Sequence, residues 1–247
     1  MRSIVDFTFP NLAQSMGDPA YGLRDRVILT SKVKDALDIN RYVMSRMPAS
    51  SVSMEAYSSD AALEGGSSNS GAPPSSSLFA PDVLHSLTPS GFPPHQLQVV
   101  VGAPYVLLRN LNPAAGHCNG TRYVVESIAG GGRLLEARAI TGPAQGRTYL
   151  IPRILFTTTA NDYPFVLRRK QFPFQPAFAM TIHKAQGQTL RVVGLHASNP
   201  STIFTHGQLY VAMSRVGDPD RLRIAVDQPI PSEPNAINNI VYREALI

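Results

Sequence analysis

The chain has 247 residues, of which 43% are hydrophobic, and it carries a formal net charge of +5. A chain of this size and composition can bury one large core or two modest ones, and it excludes a coiled coil, a collagen and a disulfide scaffold. The single cysteine, Cys118, has no internal disulfide partner, which favours a reducing compartment and a bystander thiol. No apolar run approaches the roughly 20 residues of a membrane-spanning helix, so no membrane partner is expected.

The charge is unevenly distributed. Residues 83–217 contain 12 Lys and Arg against 3 Asp and Glu, a net of +9. The flanking segments 1–82 (7 against 9) and 218–247 (3 against 5) are each −2. A basic block of this kind favours a polyanion such as nucleic acid as partner. The chain has 18 arginines and 4 lysines, which favours geometric phosphate contacts, although a GC-rich genome would produce the same bias.

The first third of the chain begins with a strand and a helix and then loses its apolar residues. Residues 26–30 (RVILT) predict a strand, and Ser31 is a suitable N-cap for a helix that ends before Pro48. Residues 57–77 are rich in Gly, Ser and Pro, a composition that cannot bury enough surface to order itself. The sequence therefore predicts a disordered surface loop at 57–77.

Short β-rich runs dominate residues 96–175. They include QVVVGAPYVLL, TRYVVESI, LLEARAI and TYLIPRILF, with Gly- and Pro-containing turns between them. Regular spacing of this kind predicts a small antiparallel barrel or sheet. Downstream, strand and helix patterns alternate, which predicts a parallel, doubly wound sheet. We therefore expect an α/β domain into which a β-rich module is inserted.

Two segments of the C-terminal third have the pattern of an anion site. In AFAMTIHKAQGQTLR (177–191) an apolar strand runs into a polar turn, whose backbone N–H groups and cations can contact phosphate. GQLYVAMSRV (207–216) predicts an amphipathic helix that leads to Arg215. A planar guanidinium can donate two parallel hydrogen bonds to a phosphate that is bound on the other side of a cleft.

Four consecutive blocks resemble the second motor half of the PIF family of ATP-dependent DNA helicases, in superfamily 1B, which includes the helicases of Helitron elements. The blocks are FPNLAQSMGDPAYGLRDRVILT (9–30), PSGFPPHQLQVVVGAPYVLLRNLNPAAGHCNGTRYVV (89–125), QFPFQPAFAMTIHKAQGQTLRVVGL (171–195) and HGQLYVAMSRV (206–216). The resemblance implies an α/β fold: a RecA-like parallel-sheet domain that lacks its own P-loop, formed by 1–95 and 172–247. It also implies an inserted small antiparallel β-barrel at 96–171, and single-stranded DNA as partner.

TIHKAQGQT resembles helicase motif V, which in the family lies between the DNA track and the nucleotide cleft. The resemblance implies that Thr181, His183 and Lys184 contact the DNA backbone and that Gln186 and Gly187 face the nucleotide. Such a loop can change its contacts with DNA when the γ-phosphate is lost. A structural alternative stays open, in which Thr181 and Gln186 cap a helix and His183 is a core residue.

YVAMSRV resembles motif VI. The resemblance implies that Arg215 is a catalytic arginine finger that binds the γ-phosphate held by the other motor half, where it would stabilise charge in the transition state. The alternative is a solvated arginine that complements the dipole at a helix C-terminus.

The basic triplet Arg168, Arg169 and Lys170 is a second predicted nucleic-acid contact. Three phenylalanines flank it and offer possible stacking surfaces, although burial in a core is the favoured interpretation. They are Phe165, Phe172 and Phe174.

The chain lacks groups that ATP hydrolysis needs. It has no G-x-x-x-x-G-K-[ST] segment, and no Asp-Glu pair follows an apolar strand, so the P-loop lysine and the Mg²⁺ ligands are not in this chain. LTSKV at 29–33 also departs from the LTPKN of the family, which puts a DNA contact there in doubt. We expect the C-terminal part of a 5′-to-3′ helicase, incomplete alone. Mg-ATP is then the cofactor of the complete enzyme, and a P-loop-containing N-terminal motor half, in cis or in trans, is the partner.

Two other functions stay open. One is a single-stranded nucleic-acid-binding module without motor activity, and the other is a non-functional, transposon-derived remnant. The sequence predicts no metal site. It fixes no compartment, although the resemblance implies an intracellular protein and is compatible with the nucleus.

Overall fold

The computed structural model describes residues 1–16, 18, 21–47, 52–64, 79–159, 163–198, 203–228, 231–233, 236–242 and 244. The chain divides into two compact units, the first formed by 1–48 and 176–247 and the second by 49–175. None of the helices in the described ranges is long and apolar enough to cross a membrane.

The described elements follow in chain order. The helices are α1 (Arg2–Thr8), α2 (Leu12–Ser15), α3 (Val33–Ser45), α4 (Pro81–Ser86) and α5 (Gln208–Met213). The strands are β1 (Arg26–Thr30), β2 (Val52–Tyr57), β3 (Ser59–Glu64), β4 (Gln96–Val100), β5 (Pro104–Leu107), β6 (Arg122–Ala129), β7 (Leu134–Ala139), β8 (Thr148–Pro152), β9 (Ile154–Thr157), β10 (Phe165–Gln171), β11 (Phe174–Pro176), β12 (Ala179–Thr181), β13 (Val192–Ser198) and β14 (Leu222–Asp227).

The first unit is built on a sheet with the strand order β12-β1-β13-β14, and all of its pairs are parallel. The predicted parallel sheet is confirmed. Alternate residues of β1 and β13 pack together in one core. Residues of β12, of the segment after β12 and of α5 belong to the same core. Its buried members are Val27, Leu29, Met180, Ile182, Ala185, Leu190, Val193, Leu195, Ile203 and Ala212. The turn after β12 and helix α5 are therefore anchored in the same core.

Helices α1 and α3 hold the sheet through two close contacts. A Cβ atom on Gly194 of β13 would lie 2.6 Å from Thr8 Oγ1 and 2.7 Å from Ile4 Cγ1, so the glycine allows α1 to approach the strand. Asn40 of α3 is buried, and its amide pairs with the backbone of Ala179 in β12. Ala179 N–H donates to Asn40 Oδ1 at 2.9 Å, and Asn40 Nδ2 donates to the Ala179 carbonyl at 3.0 Å.

The start of α3 differs from the prediction. Lys32, not Ser31, occupies the N-cap position, and it makes no side-chain capping hydrogen bond. Ser31 Oγ is buried without a partner in the described part of the chain. The helix ends at Ser45, before Pro48 as predicted.

The second unit consists of sheets whose described strand pairings are antiparallel. Their strand orders are β11-β5-β6-β7-β8, β3-β10-β9 and β2-β4. The β-rich runs of the sequence become β4 to β9, which confirms that part of the prediction.

This unit begins earlier than the sequence predicts, at residue 49 instead of 96. The reason is strand pairing: β2 pairs with β4, and β3 pairs with β10. The predicted disorder at 57–77 is wrong at its start, because residues 59–64 form β3. Residues 65–77 lie outside the described residues.

Candidate functional site

The turn that follows β12 divides its side chains between core and solvent. Residues Ile182–Ala185 form a short 3₁₀ helix, in which Ile182 and Ala185 are buried. His183 and Lys184 lie between them and are exposed. The sequence I-H-K-A therefore anchors the turn with its apolar ends and presents an imidazole and an ammonium at the surface.

The structural alternative for this turn is met only in part: Thr181 and Gln186 occupy the two cap positions of the short 3₁₀ helix, and the Gln186 N–H donates to the His183 carbonyl. Thr181 precedes the 3₁₀ helix but makes no side-chain capping bond, and the exposed His183 is not a core residue. The His183 ring instead lies near the ring of Phe204, with centroids 6.4 Å apart. Partial burial lowers the pKa of the Lys184 ammonium from its usual value of 10.5, although the residue as a whole is exposed.

Gln186 and Gly187 form the outermost part of the turn, and both are exposed. Gly187 has φ of +78°, a left-handed conformation that favours glycine, and apart from its chain neighbours no atom of the described residues lies within 4 Å of the position of a Cβ there. Gln188 closes the turn, because its Nε2 donates to the Lys184 carbonyl at 3.0 Å. The result is an open backbone surface next to an exposed amide side chain.

Helix α5 ends at the predicted arginine. Gly207, with φ of +74°, starts the helix, and the buried residues Gln208 and Ala212 hold it against the core. Tyr210 and Met213 of this helix are exposed. The helix has six residues, and the chain then passes through Ser214 to Arg215.

The half-buried Arg215 joins the end of α5 to the turn after β12. Its Nε donates to the Val211 carbonyl at 2.8 Å, its Nη1 to the Gln188 carbonyl at 3.2 Å, and its Nη2 to Ser214 Oγ at 2.9 Å. A guanidinium has five N–H donors, so within the described part of the chain two are left for a ligand.

The backbone makes a second connection between the same two segments. The Leu190 N–H donates to the Arg215 carbonyl at 2.8 Å, and Leu190 and Val216 form a parallel bridge. The predicted residues Thr181, His183, Lys184, Gln186, Gly187 and Arg215 therefore lie on two segments that are bonded to each other. Sequence reasoning missed Gln188 and Leu190, which make these connections, even though both stand within the quoted block.

Arg169 does not belong to a surface patch. Its side chain is fully buried, and it forms a bidentate ion pair with Asp60. Its Nε donates to Asp60 Oδ1 at 3.0 Å and its Nη2 to Oδ2 at 2.6 Å. The remaining donors bond the carbonyls of Leu84, Leu87 and Pro93. The structure does not support Arg169 as a nucleic-acid contact, because the side chain has no surface and its donors are engaged.

Arg168 and Lys170 lie on the opposite side of β10. Arg168 is half-buried and Lys170 is exposed, while Phe165, Leu167, Arg169 and Gln171 are buried in alternation with them. The predicted basic triplet is thus reduced to two residues. The favoured interpretation of the phenylalanines is confirmed, because Phe165 is 6% exposed and Phe172 and Phe174 are 0% exposed.

One cluster in the second unit has the composition of a metal site. Potential ligand atoms of Asp60, His85 and His95 lie within 4.8 Å of one another. However, the Asp60 carboxylate already forms an ion pair with Arg169. The two imidazole rings are stacked, with centroids 3.6 Å apart and an interplanar angle of 13°. Ligand lone pairs lie in the ring plane, so two nearly parallel stacked rings cannot both direct one at the same ion. The cluster does not fit a metal site.

Comparison with known proteins agrees with the resemblance. The profile of the 2B domain of the DNA helicase Pif1 matches residues 82–128. Human ATP-dependent DNA helicase PIF1 is 36% identical over 135 residues, covering 54% of this chain and 20% of that protein. PIF6 of Trypanosoma brucei brucei is 33% identical over 137 residues, covering 54% of this chain and 17% of that protein. The chain spans about a fifth of the length of these curated relatives.

Solved structures show the same fold. The Pif1 helicase from Bacteroides, in complex with ADP-AlF3 and ssDNA, has a TM-score of 0.59 and 21% identity, covering 98% of this chain and 47% of that chain. The Pif1 helicase from Candida albicans has a TM-score of 0.58 and 18% identity, covering all of this chain and 57% of that chain. The fold is α/β, with a RecA-like parallel sheet and additional antiparallel sheets. In profile, sequence and fold, the chain is therefore similar to part of the PIF-family DNA helicases.

Proposed function

We propose that this chain supplies the second motor half of an ATP-dependent, 5′-to-3′ DNA helicase and is catalytically incomplete alone. A P-loop-bearing motor half, in cis or in trans, would hold Mg-ATP, whose Mg²⁺ ligands this chain lacks. In this proposal residues 1–48 and 176–247 act as the RecA-like motor domain, and residues 49–175 act as the inserted β-barrel module.

The observation that carries the proposal is the position of Arg215. Its guanidinium is fixed by three hydrogen bonds at the junction of α5 and the turn after β12, and no described residue engages the two remaining N–H donors. A preorganised donor needs little rearrangement when charge develops on a phosphoryl group. This geometry supports an arginine finger over a solvated arginine that interacts only with a helix dipole.

The turn supplies the complementary half of the mechanism. Exposed His183 and Lys184 would contact the phosphates of single-stranded DNA, with Thr181 at the base of the turn. Gln186 and Gly187, at its tip, would face the nucleotide. Because Arg215 bonds the Gln188 carbonyl, movement of the guanidinium on loss of the γ-phosphate would act directly on the turn that holds DNA.

ATP turnover tests the proposal. The chain is joined to, or mixed with, the P-loop half of a PIF helicase, and phosphate release is measured with single-stranded DNA present. Arg215→Ala is expected to lower turnover by about a thousandfold or more. Arg215→Lys is expected to recover little, because lysine cannot reproduce the forked geometry.

Arg221→Ala is the matched control, since Arg221 pairs with Asp218 at an exposed site. Its turnover should stay near that of the wild type. Equal turnover by wild type and Arg215→Lys would refute the arginine-finger assignment. Robust turnover by the chain alone that is lost on Arg215→Ala would refute its incompleteness.

A single-stranded nucleic-acid-binding module without motor activity is the second candidate. It is favoured by the net charge of +9 in residues 83–217 and by Arg168 and Lys170 on the outer side of β10. Salt-dependent binding of single-stranded DNA that ATP does not change, with or without a P-loop half, would support this candidate against the first.

A further inference from the structure

The second unit contains a cleft of about 390 Å³ that no part of the proposed ATPase mechanism uses. Its lining combines a cation, aromatic rings and hydroxyl groups. The residues that define it are Ser90, Phe92, Arg109, Thr157, Thr158 and Tyr163. Among the described residues, no carboxylate lines it. The cleft therefore has the chemistry to accept an anion that carries a planar ring.

Arg109 is the residue on which the site depends. Its guanidinium carbon lies 5.2 Å from the centroid of the Phe156 ring, and Phe156 is fully buried. The aromatic ring thus holds the guanidinium by a cation-π contact. In the described part of the chain, its side chain forms neither a hydrogen bond nor an ion pair, in contrast to Arg138, which pairs with Glu126. The guanidinium donors are available to a phosphate.

The aromatic and hydroxyl groups complete the site. Phe92 packs on Phe156 with centroids 5.4 Å apart, and Tyr163 packs on Phe165 with centroids 5.7 Å apart. Both lining rings are half-buried and therefore keep accessible surface for a base. Thr158 is fixed by a bond from the Leu167 N–H to its Oγ1 at 2.8 Å.

A second cation lies beside the cleft by strand register. Arg168 of β10 is directly opposite Thr157 of β9 in the antiparallel pair. Directly opposite residues point to the same face of a sheet, so Arg168 and Thr157 share the outer face, as do Lys170 and Leu155. Lys170 and Arg168 therefore place positive charge along β10 up to the cleft. A nucleic-acid strand, which carries a series of phosphates, could contact both the cleft and these cations, whereas a single free phosphate could contact only one of them.

We infer that this cleft is a nucleotide subsite for single-stranded nucleic acid, with a phosphate on Arg109 and a base against Phe92 and Tyr163. The choice of a single strand as the occupant rests on the proposed function, whereas the subsite itself rests on the geometry of the second unit. The exposed base edges and flexible backbone of a single strand allow simultaneous stacking and phosphate contact.

Binding of a fluorescent oligothymidylate to the full chain, followed by anisotropy across a salt series, tests the inference. Arg109→Ala is expected to weaken binding about tenfold and to reduce the slope of log K against log salt by about 0.7. Arg109→Lys should restore the slope, and Tyr163→Leu should weaken binding at an unchanged slope. The matched control Arg147→Ala removes an exposed arginine of the same unit and should change affinity less than twofold.

A crosslink locates the strand independently of affinity. An oligonucleotide that contains 5-iododeoxyuridine is irradiated with the chain, and mass spectrometry identifies the labelled peptides. A crosslink at Phe92 or Tyr163 that excess mononucleotide does not compete away supports a strand at the subsite. Equal effects of Arg109→Ala and Arg147→Ala, labelling confined to residues 176–247, or displacement by mononucleotide alone would overturn the inference. The two proposals can fail separately. If Lys184→Ala abolishes strand binding and the crosslinks lie only within residues 176–247, the subsite is wrong but the proposed function stands.

Discussion

Replacing Arg169 with methionine tests whether this residue is structural or contacts nucleic acid. The substitution removes the bidentate bonds to Asp60 and leaves that carboxylate, which is 0% exposed, without its cation. It also removes the donors to the carbonyls of Leu84, Leu87 and Pro93. Removing one partner of a buried ion pair costs about 3–5 kcal/mol, so we expect the free energy of unfolding to fall by about 4 kcal/mol.

Urea unfolding followed by far-UV circular dichroism measures this change, and hydrogen exchange assigns it to the second unit. Lys170→Met is the matched control, because it removes an exposed cation from the next position on the same strand. A surface change of this kind should alter stability by no more than about 0.5 kcal/mol. The double variant Arg169→Met with Asp60→Leu should recover part of the loss, since no isolated charge is then buried.

The two possible roles give opposite results. If Arg169 is structural, Arg169→Met lowers stability, whereas Lys170→Met leaves stability nearly unchanged. Arg169→Met with a loss of less than about 1 kcal/mol in stability and a tenfold loss of DNA affinity would refute the structural role.

Three further predictions concern the rest of the fold. Asn40→Ala should lower the free energy of unfolding by about 1–3 kcal/mol in denaturant melts, because it leaves buried backbone groups of Ala179 unpaired; no change would contradict this role. Gly194→Ala should cost about 1–3 kcal/mol by overpacking against α1, whereas Gly217→Ala, with open space around its Cβ position, should be near neutral. Burial, together with His85 and Arg169, lowers the pKa of His95 from its usual value of 6.5, so the unfolded chain binds more protons just below that pH. Urea midpoints should therefore fall as the pH drops below about 6.5, and His95→Gln should reduce the slope; an unchanged slope would contradict this assignment.

The parallel sheet could be predicted because strand and helix patterns alternate in its sequence. Strands β2 and β3 could not, because Ser, Asp and Glu are frequent in them and the pairing partners lie far along the chain. Asp60 illustrates this, since its role depends on Arg169, 109 residues away. Local composition cannot reveal an ion pair of that separation.

Parts of the candidate site could be predicted and parts could not. The motif residues lie on two segments that are bonded to each other, and their roles stay predictions. The error at Arg169 came from reading three basic residues as one patch. The period of a β-strand places Arg168 and Lys170 on one face and Arg169 on the other, among Phe165 and Gln171. Strand alternation was therefore the missing signal.

The pairing of Asn40 with Ala179 has a consequence for the edge of the parallel sheet. Among the described strands β12 is the terminal one on that side, and terminal strands with free backbone groups can recruit a strand from another molecule. The Asn40 amide donates to and accepts from Ala179 as a neighbouring strand would. The side chain thus occupies the position that an intruding chain would need, and it protects the protein against edge-to-edge aggregation next to the turn proposed to hold DNA.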